Sequence, residues 1–123
     1  MNLSKKLATI GLSTALLVGG MTVMASSASA VQKCQSIPNG LLCVEHINNG
    51  YNASYTKSGG ATIKADFNLR CKIGSRFGDN GAFYVSAGER RTYFFAVGDL
   101  GDCRTEMYVY DNNTWYYSAY SVG

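Results

Sequence analysis

The chain has 123 residues, of which 11 are Lys or Arg and 8 are Asp or Glu, so its formal net charge is +3. A chain of this length is expected to form one small domain. The sequence shows no dense basic stripe of the kind that nucleic-acid binding requires, so we expect no nucleic-acid partner.

Residues 1–30 are predicted to be a secretory signal. Lys5 and Lys6 form a short positive head, and residues 7–24 are apolar or small. Small residues lead up to the predicted cleavage site after Ala30, as a signal peptidase requires. An uncleaved membrane anchor is the alternative, but the glycines within the apolar run favour a cleaved signal.

Cleavage would leave residues 31–123 as a single domain. That part contains nine Lys and Arg residues against eight Asp and Glu residues, a formal charge near +1, which removes net charge as an argument for a polyanionic partner. We expect the domain to be secreted, either extracellular or associated with the cell wall. No membrane insertion of the mature chain is expected, because no later apolar run is long enough to span a bilayer.

Four cysteines predict the covalent framework. An even count in a short exported chain is typical of disulfides. We expect Cys34 to pair with Cys43, because they flank the turn "SIPNG". We expect Cys71 to pair with Cys103 across the core, because both point inward from separate predicted strands. Zinc is the alternative, but no C-x-x-C pair is present and His46 is the sole histidine.

The first half of the domain shows a hairpin and one long strand. Residues 41–47 and 51–57 are predicted strands separated by "NNG", a strong hairpin signal. After the turn "KSGG", the chain reads "ATIKADFNLRCKI" from Ala61 and alternates between apolar and polar residues, as a half-buried strand does. The apolar face of this strand consists of Ile63, Ala65, Phe67, Leu69, Cys71 and Ile73.

The second half continues the alternation. The segment "GSRFGDNG" is predicted to be a loop before a strand over residues 82–85. Residues 90–97 contain "YFFAV", which is apolar on both faces and therefore predicts a central strand. The strand that begins at Cys103 points Met107 and Val109 inward and turns Arg104 and Glu106 outward. A turn at Asn112 and Asn113 leads into the final strand.

These patterns together predict an all-β fold. About seven short antiparallel strands with regular turns indicate a small disulfide-stapled β-sandwich, immunoglobulin-like or related, or else a small barrel. An orthodox immunoglobulin domain is not expected. Trp115 follows both core cysteines instead of lying between them. Gly101 stands two residues before the second of these cysteines, where immunoglobulin domains have the tyrosine of the tyrosine corner.

The segment "TWYYSAY" near the end of the chain holds the best candidate binding residues. Alternation places Trp115 and Tyr117 on one face and Tyr116 and Tyr120 on the other, and one of these sets should lie beside the outward rings of the preceding strand. Large rings with polar tips suit ligand contact, although tyrosines are also ordinary strand residues. The candidate ligand-binding residues are Tyr108, Tyr110, Trp115, Tyr116 and Tyr120.

The sequence offers no clear catalytic or metal-binding group. His46 has no evident nucleophile beside it, and no G-x-S-x-G motif or pair of carboxylates within a strand is present. We therefore expect no catalytic residues, no cofactor and no metal. Calcium at Asp79 with Asn80, or at Asp99 with Asp102, is an alternative, but these residues are also what β-turns use.

The run "GAFYVSAGERRTYFFAVGDLGDCRTEMYVYD" resembles segments of uncharacterised small secreted two-disulfide β proteins of Gram-positive bacteria. This resemblance implies a fold and a secreted setting but no activity. The leading hypothesis is a non-enzymatic binding module that docks an extracellular protein or a cell-wall glycan through its aromatic face, for example an inhibitor of a secreted hydrolase. The alternatives are an antimicrobial or toxin-like protein and a structural protein of the envelope or matrix.

Overall fold

The computed structural model describes residues 31–121, and the secretory signal predicted over residues 1–30 lies outside this range. The described chain is all-β, as predicted, with nine strands instead of about seven. The two strands that sequence alternation did not predict are the first and the fifth. The strands are β1 (Gln32–Ile37), β2 (Gly40–Ile47), β3 (Gly50–Lys57), β4 (Ile63–Cys71), β5 (Arg76–Gly78), β6 (Phe83–Val85), β7 (Arg90–Phe95), β8 (Cys103–Val109) and β9 (Thr114–Tyr117).

Two antiparallel sheets pack against each other as a β-sandwich. Sheet A has the strand order β1-β2-β3-β7, and sheet B has the order β5-β4-β8-β9, with β6 also pairing with β4. Between residues 31 and 121, no helix has the length and apolar character needed to cross a membrane. The core between the sheets includes Leu42, Val44, Tyr51, Ala53, Tyr55, Ala65, Phe67, Leu69, Val85, Phe95, Met107 and Val109.

The predicted alternation of β4 is confirmed. Ala65, Phe67 and Leu69 are at most 1% exposed, whereas the intervening residues are only half-buried. The strand ends at Cys71, however, so Ile73 lies in the following turn and is 67% exposed. The apolar face therefore ends one step earlier than the sequence pattern suggests.

The hairpin turns depend on asparagines in the left-handed backbone region. Asn48 and Asn49, between β2 and β3, have φ angles of 53° and 59°, as the two central residues of a type I′ turn require. Asn39 follows Pro38 with a φ angle of 66°, which suits a type II turn. These turns fix the register of the three consecutive strands of sheet A.

The prediction that "YFFAV" forms a central strand is wrong, because β7 lies at the edge of sheet A. Phe95 is buried in the core, but Phe94 points away from it and is 41% exposed. The Phe94 ring covers Gly50 on the neighbouring strand: a Cβ atom at Gly50 would lie 2.6 Å from Cζ of that ring. This packing explains why an edge strand carries apolar residues on both faces.

Both predicted disulfide pairings are present, but each links neighbouring strands of one sheet. Cys34 on β1 and Cys43 on β2 are direct partners with a Cα–Cα distance of 4.1 Å. Cys71 on β4 and Cys103 on β8 are direct partners at 3.9 Å, and their side chains are buried in the core. The expected bridge across the core between facing strands is therefore wrong, and neither disulfide joins the two sheets as the central bridge of an immunoglobulin domain does.

Candidate functional site

The outer face of sheet B carries most of the exposed rings and cations of the described domain. Strand alternation on β4, β8 and β9 turns polar and aromatic residues outward, and β5 and β6 add one long side chain each. We call this surface the aromatic–cationic face. It consists of Lys64, Asp66, Asn68, Arg70, Lys72, Arg76, Tyr84, Arg104, Glu106, Tyr108, Tyr110, Trp115, Tyr117 and Tyr120.

Three of its rings contact one another. Tyr108 lies directly opposite Trp115 in the pairing of β8 and β9, with ring centroids 5.1 Å apart. The Tyr110 ring meets Tyr108 edge-on, with centroids 4.9 Å apart. The Tyr108 hydroxyl donates to Asn113 Oδ1 at 2.7 Å, and the Tyr110 hydroxyl donates to Asp66 Oδ2 at 3.3 Å. These contacts hold the rings in a fixed arrangement.

Cations lie over four of the rings of this face. Such cation–π contacts contribute about 0.5–1 kcal/mol each at exposed sites. The five found in the described part of the chain all lie here. They join Lys64 to Tyr110 at 5.0 Å, Arg76 to Trp115 at 5.0 Å, Arg104 to Tyr117 at 4.1 Å, Arg104 to Tyr120 at 5.1 Å, and Lys72 to Tyr120 at 4.8 Å.

Three arginines surround one buried carboxylate at the centre of the face. The Glu106 side chain is only 4% exposed, and its oxygens lie 3.3 Å from Arg76 Nε and 3.2 Å from Arg104 Nη2. Arg70 Nε is 3.9 Å away, beyond hydrogen-bonding distance. Three guanidinium groups and one carboxylate leave a local formal charge of +2.

The near-neutral net charge of residues 31–123 does not reveal this local excess of positive charge. Nine Lys and Arg residues occur in that range, and five of them belong to the aromatic–cationic face. Of the acidic residues, Asp66 and Glu106 point outward on β4 and β8, Asp79 contacts Asp66, and Asp102 lies 3.5 Å from Lys72. The guanidinium cluster is therefore a local cationic site in a domain whose charges nearly cancel.

The carboxyl groups of Asp66 and Asp79 lie next to each other at the Tyr110 end of the face. Asp79 accepts hydrogen bonds from Phe67 N at 3.3 Å and from Gly81 N at 3.1 Å. Desolvation by burial, followed by the hydrogen bond to Asp66 and the charge of Asp66, raises the pKa of Asp79 from 3.8 to about 6. Desolvation and then the Asp66 charge also raise the pKa of Tyr110.

The structure places the predicted binding residues in two groups. Tyr108, Tyr110 and Trp115 lie together on the aromatic–cationic face, and Tyr120 lies at its end, between Lys72 and Arg104. Tyr116 does not join them, because it lies opposite Met107 and packs against the core. The outward partners in the last strand are Trp115 and Tyr117, which are 36% and 41% exposed.

Tyr116 instead lines a cavity of about 80 Å³ between the sheets, together with Tyr55 and Lys57. Lys57 is 1% exposed, and its ammonium group donates to the Gly59 carbonyl. Desolvation, with a smaller contribution from Tyr116, raises the pKa of Tyr55. Tyr116 therefore belongs to the interior between the sheets and not to the aromatic–cationic face.

The other residues considered for chemistry have structural contacts. The His46 ring stacks on Tyr51 with centroids 4.5 Å apart, and its Nε2 lies 3.5 Å from Asp99 Oδ1. Asp99 also accepts from Gly101 N at 3.0 Å, just as Asp79 accepts from Gly81 N, so both carboxylates stabilise turns. Across residues 31–121, no three His, Cys, Asp or Glu side chains are grouped so that they could hold a metal ion.

Comparisons with known proteins add nothing to this geometry. No protein-family model, curated protein sequence or solved structure matches the chain. The resemblance to exported two-disulfide proteins of Gram-positive bacteria stays a prediction, so function must be argued from the site itself.

Proposed function

We propose that this domain is a non-enzymatic binding module that acts outside the cell and holds a glycan on the aromatic–cationic face. The observation that carries the proposal is the concentration of exposed rings and cations on one sheet surface. Tyr84 is 63% exposed, Tyr110 and Tyr117 are 41% exposed, and Trp115 is 36% exposed. Exposed rings of this size offer both a flat apolar surface and a polar tip to a ligand.

The dimensions of the face favour an extended ligand. Outward residues on one strand are about 6.8 Å apart, twice the rise per residue. Four outward positions of β4, from Lys64 to Arg70, therefore span about 20 Å. A chain molecule with stackable rings, such as a glycan, can contact several residues along this length, whereas a small ligand would need a pocket.

The fixed arrangement of the rings also supports binding. Each of the two sheets contains one disulfide between neighbouring strands, and Tyr108 and Tyr110 are held by hydrogen bonds to Asn113 and Asp66. A surface that is already ordered loses less conformational entropy when its ligand binds. The two disulfides are also consistent with an extracellular setting.

Binding to soluble cell-wall glycans, measured by isothermal titration calorimetry with oxidised protein comprising residues 31–123, tests the proposal. We expect Trp115→Ala to weaken binding about tenfold, equivalent to about 1.4 kcal/mol. Phe94→Ala is the matched control, because Phe94 has a similarly exposed ring on the outer face of sheet A. Absence of binding to every glycan, or equal binding by both variants, would refute the proposal.

A protein ligand is the second candidate. Tyr, Trp and Arg are the residue types most enriched at the energetic centres of protein interfaces, and they make up much of this face. An inhibitor of a secreted hydrolase is one form of this function. Inhibition of an extracellular protease or amylase that is lost in Trp115→Ala, without any glycan binding, would favour this candidate over the glycan.

A further inference from the structure

We infer that the glycan bound by this face is an acidic one, and that its carboxylate or phosphate groups bind at the guanidinium cluster of Arg70, Arg76 and Arg104. This inference rests on the proposed function and specifies the chemical class of the ligand. Uronate and phosphodiester groups share the relevant chemistry, a negative charge spread over at least two oxygens.

The first argument is the uncompensated charge of the cluster. Glu106 neutralises only one of the three guanidinium groups around it. The side chains of Arg70, Arg76 and Arg104 are 42%, 44% and 27% exposed, so they remain accessible from solvent. Guanidinium groups present paired N–H donors that match carboxylate and phosphate oxygens.

Arg70 is the member best placed to contact a ligand. Its only ion-pair contact within the described residues is the 3.9 Å approach to Glu106, and its side chain is 42% exposed. Arg76 and Arg104 both lie closer to Glu106 and over aromatic rings. Arg70 is therefore the member of the cluster that Glu106 and the rings hold least closely.

The second argument is the position of the cations relative to the rings. Arg76 lies over Trp115, and Arg104 lies over Tyr117. A sugar ring stacked beside Trp115 or Tyr117 would bring an acidic substituent within reach of a guanidinium group. Lys64, three outward positions along β4 from Arg70, places a further cation beside Tyr110 at the other end of the face.

An acidic glycan is favoured over single-stranded nucleic acid, which also combines stacking with phosphate contacts. Nucleic-acid binding surfaces are strongly basic over a whole domain face or groove. Here Asp66 and Asp79 interrupt the cationic surface beside Tyr110, and the domain as a whole is close to neutral. The nucleic acid is therefore an alternative for the experiment to exclude.

The test measures binding of four soluble probes by calorimetry: polygalacturonate, poly(glycerol phosphate), a neutral glucan and single-stranded oligothymidylate. We expect at least one acidic glycan to bind about tenfold more tightly than the neutral glucan, and its affinity to fall with added salt. Arg70→Gln should weaken this binding about tenfold. Arg90→Gln is the matched control, because Arg90 is an exposed arginine on sheet A, and it should change nothing.

Preferential binding of either acidic glycan supports the inference and also identifies its acidic group. Equal affinity for the neutral and acidic glycans, wild-type affinity in Arg70→Gln, or tighter binding of oligothymidylate would overturn it. If the neutral glucan binds at least as tightly as both acidic glycans and Trp115→Ala abolishes that binding, the proposed function stands while this inference fails. If no glycan of either class binds, both fail.

Discussion

The Arg104 guanidinium carbon lies 4.1 Å from the centroid of the Tyr117 ring, so a cation of β8 covers an aromatic side chain of β9. Arg104 Nη2 also lies 3.2 Å from Glu106 Oε2. One side chain thus joins the aromatic and ionic parts of the aromatic–cationic face. A ligand that binds there can contact an aromatic ring and a guanidinium group at the same place.

Replacement of Glu106 by Gln should destabilise the domain. The substitution removes a buried carboxylate that faces three arginines, and loss of hydrogen bonds to a charged group costs about 1–3 kcal/mol. Urea unfolding of wild type and variant measures the difference. Glu45→Gln is the control, because Glu45 is half-buried on sheet A, away from this cluster, and should change stability by less than about 0.5 kcal/mol. Equal losses in both variants would contradict the ionic role of Glu106.

The hydroxyl groups of two buried tyrosines should contribute unequally to stability. The Tyr51 hydroxyl donates to Gly101 O at 2.6 Å and accepts from Leu100 N at 2.8 Å. The Tyr55 hydroxyl makes one long contact, to Pro38 O at 3.4 Å. Tyr51→Phe should therefore reduce the unfolding free energy by about 1–3 kcal/mol, and Tyr55→Phe by less than about 1 kcal/mol. Thermal or urea unfolding that ranks them in the opposite order would refute this assignment.

The two disulfides should differ in their contribution to stability. Loop-closure entropy predicts about 3.5–4 kcal/mol for the bridge between Cys71 and Cys103 and about 2.5–3 kcal/mol for that between Cys34 and Cys43. Their sequence separations are 32 and 9 residues. Replacement of each pair by alanines, followed by urea unfolding, compares them. The bridge between Cys71 and Cys103 also lies in the core, so its removal loses packing as well. A larger loss of stability from removing the bridge between Cys34 and Cys43 would contradict the prediction.

The Asp79 carboxyl group should make stability depend on pH. Its folded-state pKa of about 6 exceeds the usual 3.8, so the folded protein binds more protons between these values. The stabilisation is complete below pH 3.8 and is lost as the pH rises through about 6. The stability difference between wild type and Asp79→Asn should follow this curve.

An NMR titration of the carboxyl groups measures the pKa of Asp79 directly. Asp66→Asn should lower the pKa of Asp79, because it removes a neighbouring negative charge and the hydrogen bond shared with Asp66. Desolvation should still hold that pKa above 3.8. An Asp79 that titrates at 3.8 in the wild-type protein, or a pKa that does not respond to Asp66→Asn, would contradict the account of the pair.

Sequence periodicity predicted those parts of the fold in which one face of a strand is buried and the other is polar. The alternation of β4 identified Ala65, Phe67 and Leu69 as core residues and Cys71 as an inward cysteine. It could not show that Cys71 and Cys103 belong to neighbouring strands, because inward direction is the same for adjacent and facing strands. It also failed for β7, where Phe94 covers Gly50 from outside the core.

The candidate site was predicted only in part for a similar reason. Strand "TWYY" carries rings on both faces, so alternation alone could not decide whether Tyr116 or Tyr117 accompanies Tyr108. The arginines around Glu106 come from three different strands, and Arg76 lies in a segment that reads as a loop. Contacts of this kind depend on strand order and register, which a single sequence does not specify.

Trp115 provides the most direct measurement of the central claim, because it is the only tryptophan in the chain and lies on the aromatic–cationic face. Its indole N–H gives one resolved signal in a two-dimensional ¹H–¹⁵N NMR spectrum. During titration with an acidic glycan, we expect this signal and the amides of β8 and β9 to shift with one saturating curve. Saturable shifts confined to sheet A, with the indole signal unchanged, would contradict the claim that this face binds the ligand.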